Sequence, residues 1–180
     1  MDSKLKDIRL IVGLGNPGSR YANTYHNVGE TFVRIITKGL EWENPHQLLE
    51  IANLPRSLNK VRYLIPATFM NSSGEAVGVA IKRYKLSPQE ILIVHDDSDL
   101  KLGSYKISLG RGSGGHNGVQ SVINVLKTKD FYRLRIGVRT KIGKASDFVL
   151  SRISKEEKQT LEKVYEEIKE TIIEKEWVPV

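Results

Sequence analysis

The chain has 180 residues, of which 39% are hydrophobic and 27% are charged, and it contains no cysteine. This length and composition predict one soluble globular domain over residues 1–180, and the lack of cysteine excludes disulfides, thiolate metal sites and a cysteine nucleophile. No apolar stretch is long enough for a membrane span and the N-terminal MDSKLKD has no apolar segment, so we expect a cytoplasmic protein.

The positive charge is concentrated in one part of the sequence. The formal net charge is +7, but residues 154–177 hold eight Glu and five Lys, so the rest of the chain carries +10. Residues 101–144 hold ten Lys or Arg against one acidic residue, Asp130. Such a region is typical of a surface that binds a polyanion, although a solvated basic surface without a partner has the same composition.

The apolar pattern of the first half predicts strands and helices in alternation. Residues 9–14 form an apolar run typical of a central strand, and an amphipathic helix follows from about residue 27 to residue 39. Residues 41–47 are predicted to form a loop with an Asn-Pro turn. Two short strands follow at 48–54 and 61–65, with a hairpin connection between them, and a second helix begins after Gly74.

The second half continues the alternation. An apolar strand at 91–94 is predicted to stop at His95, and alternating apolar residues predict two further strands around 105–109 and 134–138. A helix with apolar residues between 119 and 126 lies between these two strands.

The last helix has the clearest signal. Ser154 and Glu157 form a capping box at its start, and an apolar stripe runs from Leu161 to Trp177. The predicted fold is therefore a single α/β domain in which a mixed, twisted β-sheet is flanked by helices on both faces.

Residues 13–18, GLGNPG, match the spacing of a dinucleotide-binding fingerprint after a strand. Pro17 lies inside the turn and the helix begins only near Asn27, so no helix N-terminus is available to meet a pyrophosphate. We predict instead that these glycines form a tight turn that orients Asn16.

His26 is the candidate general base. It lies just before a predicted helix, and Asp96 follows a separate strand, so both residues are expected at one edge of the sheet. A carboxylate beside an imidazole fixes its tautomer and raises its basicity. A solvated histidine at the start of a helix is the simpler alternative.

The acidic residues after His95 admit a different interpretation. His95, Asp96, Asp97 and Asp99 could together be metal ligands, and the oxygen-rich acids would suit Mg²⁺. Alternatively, the acids form a turn in which Asp side chains bond to the backbone. Asn71 and Asn117 each precede a predicted helix, so each is either an N-cap or an amide that contacts a substrate.

Residues 110–118, which include GSGGHNG, are rich in glycine but lack the Gly-Lys-Ser/Thr end of a phosphate-binding loop. A flexible lid or a substrate cleft fits this segment better. The chain also lacks the G-x-S-x-G pattern of a serine nucleophile.

Five segments in combination resemble a known family, namely IVGLGNPGSRYANTYHNVG, PATFMNSSG, ILIVHDDSDL, GSGGHNG and FYRLRIGV. The chain resembles the bacterial-type peptidyl-tRNA hydrolases, which cleave the ester between a peptide and the terminal ribose of tRNA, and the resemblance extends from about Arg9 to Gly137. It implies a monomeric enzyme without a cofactor, metal or covalent intermediate. Its partner would be the acceptor stem and 3′ end of peptidyl-tRNA.

The resemblance also implies a role for each matching residue. His26 would take a proton from the attacking water, Asp96 would orient His26, and Asn16 would help to hold the water. Asn71 and Asn117 would bind the substrate near the ester, and one of them would stabilise the oxyanion.

Two further residues would contact the substrate, and one position departs from the family. Tyr21 would lie against the end of the acceptor stem, and Met70 would pack in the cleft. The family commonly has an arginine just before the histidine that corresponds to His26, whereas this chain has Tyr25.

The family clamps the 5′-phosphate of tRNA with a lysine and an arginine. The arginine is present as Arg135, but the position of the lysine holds Ser108. Lys106 and Arg111 are the candidates for its replacement.

Two other functions use the same residues differently. An RNA-binding protein could share the scaffold without hydrolysis, and a metal-dependent phosphoesterase could use the acids at 96–99. The combination of Asn16, His26, Asp96 and Asn117 favours the hydrolase, because a binding module needs neither a base nor an acid that orients it.

Overall fold

The computed structural model describes residues 3–53, 61–140 and 148–173. Seven strands are present in these ranges: β1 (Leu10–Gly13), β2 (Trp42–His46), β3 (Leu49–Asn53), β4 (Arg62–Pro66), β5 (Ile91–Lys101), β6 (Tyr105–Leu109) and β7 (Tyr132–Arg139). The same ranges contain four α-helices: α1 (Val28–Ile36), α2 (Ser73–Tyr84), α3 (Asn117–Leu126) and α4 (Lys155–Ile168). Short 3₁₀ turns at Tyr25–Asn27 and Met70–Ser72 lead into α1 and α2.

The strands form one mixed sheet in the order β2-β3-β4-β1-β5-β7-β6. The four adjacent strands β4, β1, β5 and β7 are parallel to one another. Strands β2, β3 and β6 pair antiparallel with their neighbours. One buried cluster packs α1 and α4 on one face of the sheet, and a second packs α2 and α3 on the other. The predicted fold class is therefore confirmed.

Helix α1 lies unusually close to the central strands. A Cβ atom at Gly29 would lie 2.2 Å from the Val94 carbonyl oxygen, and one at Gly13 would lie 2.7 Å from the Gly29 carbonyl oxygen. Only residues without a side chain allow this approach, since real Cβ atoms do not come so near to a backbone oxygen. The start of α1, and with it His26, is thereby held against the middle of β5.

Two predicted boundaries were wrong. Residues 42–46 form the edge strand β2 rather than a loop, with a shift of register between Glu43 and His46 that accommodates Pro45. Strand β5 does not stop at His95 but continues to Lys101, because its polar half still pairs with β7. Apolar spacing cannot detect a strand segment whose side chains make polar contacts.

The other predicted elements occur where the sequence pattern indicated. The capping box of α4 is present, with Ser154 N donating to Glu157 Oε2 over 2.8 Å and Glu157 N donating to Ser154 Oγ over 3.3 Å. Trp177 and the predicted connection at 55–59 lie outside the described residues. Among the helices that the structure describes, none is both long enough and apolar enough to span a bilayer.

Candidate active site

The candidate site is built around one carboxylate oxygen. Asp96 Oδ1 accepts hydrogen bonds from His26 Nδ1 and from His116 Nε2, each over 2.9 Å. Asp96 is only 2% exposed and His26 only 8%. The expected proximity of His26 and Asp96 is therefore confirmed, whereas His116 is a partner that the sequence interpretation missed.

Three separate elements deliver these side chains. Asp96 lies near the middle of β5, at the point where the strand leaves the core. His26 lies in the 3₁₀ turn Tyr25–Asn27, and its backbone N–H donates to the Val149 carbonyl over 2.8 Å. His116 is the N-cap residue of α3.

The cap fixes the tautomer of His116. Its Nδ1 accepts hydrogen bonds from the backbone N–H groups of Gly118 and Val119, over 3.1 and 3.3 Å, so that nitrogen carries no proton. The ring proton is therefore on Nε2, which donates it to Asp96. A histidine directly before a helix is the signal in GSGGHNG that would have identified this residue.

The tautomer of His26 follows from the same carboxylate. Because Asp96 can only accept, His26 Nδ1 must be protonated, and the lone pair of the neutral imidazole is on Nε2. His26 Nε2 is thus the nitrogen that can take a proton from a water molecule. This is the arrangement expected of a general base held by a carboxylate.

The electrostatics of the pair agree with this arrangement. Burial alone would raise the pKa of Asp96, but the two imidazoles, His116 foremost, stabilise the carboxylate and hold its pKa far below the usual range. Burial alone would lower the pKa of His26, but the hydrogen bond and charge of Asp96 outweigh it and the pKa is raised. Asp96 therefore stays ionised and favours the protonated form of His26.

His95 is a third imidazole next to the cluster. Its Nδ1 lies 2.6 Å from the backbone oxygen of Asp96, and its Nε2 is buried without a hydrogen-bond partner among the described residues. Burial, with a smaller contribution from His116, lowers the pKa of His95 to about 3. His95 is therefore neutral and adds no charge to the site.

Asn16 lies in the turn after β1. Its Oδ1 accepts a hydrogen bond from the backbone N–H of Met70 over 2.8 Å. The amide is thereby oriented, and its Nδ2 remains a donor with no partner in the described part of the chain. Met70 is itself buried and packs closely on Gly118, where a Cβ atom would lie 2.4 Å from Met70 Sδ.

The structure separates the two asparagines that precede helices. Asn117 is the first residue of α3 and lines the same cavity as His26 and Asp96. Asn71 is exposed in the turn Met70–Ser72, next to the residue that holds Asn16. Neither occupies an N-cap position, so the alternative of helix capping was wrong for both.

Tyr21 belongs to an aromatic surface beside Met70. Its ring contacts Phe69 edge to face with the centroids 6.4 Å apart, and Phe69 is 57% exposed. The guanidinium of Arg20 lies 5.6 Å from the Tyr21 ring centroid. Phe69 was not singled out from the sequence, because the spacing of apolar residues does not distinguish an exposed aromatic side chain from a buried one.

A cavity of about 340 Å³ connects the cluster to the basic part of the molecule. His26, Asp96 and Asn117 line one side of it, and the glycine-rich segment 112–115 also contributes to its wall. The basic residues that line the cavity are Arg111, Arg133 and Arg135.

The pairing of β6 with β7 places the candidate clamp residues. Lys106 lies directly opposite Arg135, and Ser108 lies opposite Arg133, so the four side chains share one face of the sheet. Arg135 Nε donates to Asp97 Oδ2 over 2.6 Å. Arg133, which the sequence interpretation missed, is 3% exposed, and burial lowers its pKa.

The histidine cluster contains the residue types of a metal site, but the protonation state of His116 does not suit metal binding. Ligand atoms of His26, Asp96 and His116 all lie within 4.8 Å of one another. A metal would need the lone pair of His116 Nε2, and that nitrogen carries the ring proton because Nδ1 faces two backbone N–H groups. The cluster therefore fits a hydrogen-bonded base better than a metal centre.

The remaining acids do not supply an alternative metal site either. Asp97 Oδ1 accepts from the backbone N–H of Asp99 over 2.8 Å, while its Oδ2 is held by Arg135. Asp99 lies near Arg139 and is exposed. The bond between Asp97 and Asp99 is the self-bonding Asp contact of the second interpretation, although it lies where the register of β5 shifts rather than in a turn.

Comparison with known proteins gives consistent matches. The family model described as peptidyl-tRNA hydrolase matches residues 10–178. A peptidyl-tRNA hydrolase of Sulfurihydrogenibium sp. is 43% identical over 169 residues, which cover 92% of the chain and 89% of the relative. That of Mannheimia succiniciproducens is 41% identical over 169 residues, covering 91% and 87%.

A solved structure agrees with the sequence matches. The crystal structure of peptidyl-tRNA hydrolase from Acinetobacter baumannii has a TM-score of 0.83 and 36% identity, covering 89% of the chain and 84% of that protein. A family match over nearly the whole chain, with relatives and a structure this similar, shows that the chain belongs to the bacterial-type peptidyl-tRNA hydrolase family.

Proposed function

We propose that this protein hydrolyses the ester between a peptide, or an N-blocked amino acid, and tRNA, as a cytoplasmic monomer that returns free tRNA to translation. The observation that carries the proposal is the buried bond between His26 Nδ1 and Asp96, which leaves His26 Nε2 free to accept a proton. Membership of the peptidyl-tRNA hydrolase family supports the choice of substrate.

The reaction requires one activated water molecule. His26 Nε2 takes a proton from the water as its oxygen attacks the ester carbonyl, and Asp96 stabilises the imidazolium that forms. The imidazolium then gives its proton to the departing ribose oxygen, so the histidine returns to its neutral form. An alkoxide is a better leaving group than an amide nitrogen, so the step needs no covalent intermediate.

Amide groups around the base would stabilise the charge on the carbonyl oxygen. Asn16 helps to hold the water, because its Nδ2 is an unused donor oriented by Met70. Asn117 lines the cavity of His26, and Asn71 lies beside Met70, so either amide is a candidate for the oxyanion.

His116 adds a second hydrogen bond to the carboxylate. With two N–H donors on one oxygen, Asp96 keeps both its charge and its side-chain rotamer. His116 thus supports the orientation of His26 without exchanging a proton with the substrate.

The basic side of the cavity suits the acceptor stem of tRNA. Arg135 and Arg111 line it, and Lys106 lies opposite Arg135 on the same face of the sheet. We assign to Lys106 the clamp role that Ser108 cannot fill, with Arg111 as the second candidate. The surface of Tyr21 and Phe69 would stack against the unpaired 3′ end.

The first prediction concerns the base. In His26→Ala, we expect hydrolysis of N-blocked aminoacyl-tRNA to fall by about 10²–10⁴-fold, the usual contribution of a general base. Turnover is measured with and without EDTA, and His46→Ala, outside the site on β2, is the matched control. Hydrolysis that EDTA abolishes would favour the metal-dependent alternative, and tRNA binding by the unmodified protein without turnover would favour a binding module.

The second prediction concerns pH. Because the base must be neutral, kcat/KM should rise with pH through the raised pKa of His26. In Asp96→Asn, the amide oxygen still accepts both histidine hydrogen bonds, but the negative charge is lost. Burial then lowers the pKa of His26, so the acidic limb of the profile should shift to lower pH while the plateau falls at least about 10-fold. A limb that stays in place or moves to higher pH would contradict the assigned pair.

The third prediction concerns the phosphate contact. Arg135→Ala should weaken tRNA binding and reduce the slope of log Kd against log salt by about one, because one phosphate contact is lost. Lys158→Ala, an exposed lysine on α4, should leave the slope unchanged. The same measurement on Lys106→Ala and Arg111→Ala identifies the second clamp residue. An unchanged slope in Arg135→Ala would remove Arg135 from the tRNA interface.

A further inference from the structure

We infer that Asn27 is a positioning residue for ester hydrolysis, which acts by holding the backbone of Asn16. Its side-chain Oδ1 accepts the backbone N–H of Asn16, and its Nδ2 donates to the backbone carbonyl of the same residue, each over 2.9 Å. The inference rests on the proposed role of Asn16 in holding the water.

The hydrogen bonds define which way the Asn27 amide faces. A side-chain amide has one donor end and one acceptor end, and the two backbone groups of Asn16 present the complementary pair. Glu30 Oε2 also accepts from Asn27 Nδ2, over 3.1 Å, and Glu30 Oε1 is held by Arg34 Nε over 2.8 Å. Turning the amide over would break all three bonds of Asn27.

Helix capping does not explain the presence of Asn27 at this position. It occupies the N-cap position of α1, where asparagine usually accepts a hydrogen bond from the first turn, but its side chain makes no such bond. Asn27 is 2% exposed, and its amide bonds to the turn after β1 instead. The first turn of α1 is held without this side chain, because the backbone N–H of Glu30 donates to the Leu14 carbonyl over 2.9 Å. The amide of Asn27 is therefore available for its contact with Asn16.

The glycine-rich turn is shaped to admit this contact. A Cβ atom at Gly15 would lie 2.5 Å from Glu30 Oε2 and 3.1 Å from Asn27 Nδ2. Gly15 is therefore needed for the approach of Asn27 and Glu30, not for a left-handed backbone, which among the glycines of this turn only Gly18 adopts.

Asn16 is consequently fixed at two ends. Asn27 holds its backbone, and the backbone N–H of Met70 holds its side-chain oxygen. Because Asn27 directly follows His26, one 3₁₀ turn brings the base to Asp96 and the amide to Asn16. The distance between the base and the Nδ2 donor of Asn16 is thus set by two adjacent residues.

A double-mutant cycle tests this inference. Asn27→Ala should lower kcat by up to about 100-fold, the cost of misplacing a catalytic group by about 1 Å, with KM changed less than about twofold. Asn16→Ala should lower kcat as well. If Asn27 acts through Asn16, the double variant should be no slower than Asn16→Ala alone.

Two controls separate positioning from loss of structure. Thr37→Val removes a buried hydrogen bond to the Val33 carbonyl on the same helix, and it should lower the melting temperature without changing kcat. If Asn27→Ala does not fold, a second variant combines Asn27→Asp with Glu30→Gln. It removes the side-chain donor to the Asn16 carbonyl but keeps the acceptor for the Asn16 N–H. This variant should lose less kcat than Asn27→Ala, and the loss should also disappear in the Asn16→Ala background.

Two results would overturn the inference in distinguishable ways. Losses of kcat that multiply in the double variant would show that Asn27 acts independently of Asn16, and the proposed function would be unaffected. An unchanged kcat in Asn16→Ala would remove Asn16 from the proposed mechanism and the role of Asn27 with it.

Discussion

A single carboxylate oxygen, Asp96 Oδ1, holds the candidate site together. Two histidines from distant parts of the chain donate to it; the bond from His26 is buried, and the bond from His116 is partly buried. An isolated buried carboxylate is costly, and this one is tolerated because each imidazole supplies an N–H donor. The same bonds select the tautomers of both rings, so the charge of Asp96 determines which nitrogen of His26 is available for chemistry.

Close packing of the backbone makes this meeting possible. Gly13 and Gly29 let α1 lie against β1 and β5, so the turn before the helix reaches Asp96 in the middle of β5. The turn then carries out two tasks with adjacent residues, because His26 bonds to Asp96 and Asn27 bonds to Asn16. Strain or loosening at this helix start would therefore alter both the base and the amide that we place beside the water.

The sequence predicted the fold and the pair His26–Asp96 because both leave local signals. Apolar runs marked the central strands, and acids after an apolar run marked the point where β5 changes from apolar to polar residues. His116 was missed because its bond to Asp96 joins residues 20 positions apart, which no motif records, and its place directly before a helix was the signal left unused. Glycine spacing suggested a tight turn, whereas two of the three glycines serve close contacts.

The tautomers of the two histidines test the account most directly. Nitrogen-15 chemical shifts of the imidazoles, measured above the pKa of His26, report which ring nitrogen carries the proton. The account predicts a proton on Nδ1 of His26 and on Nε2 of His116 at that pH, with an imidazolium forming at His26 as the pH is lowered. A proton on Nε2 of neutral His26 would contradict it, because that nitrogen could not then accept a proton from water.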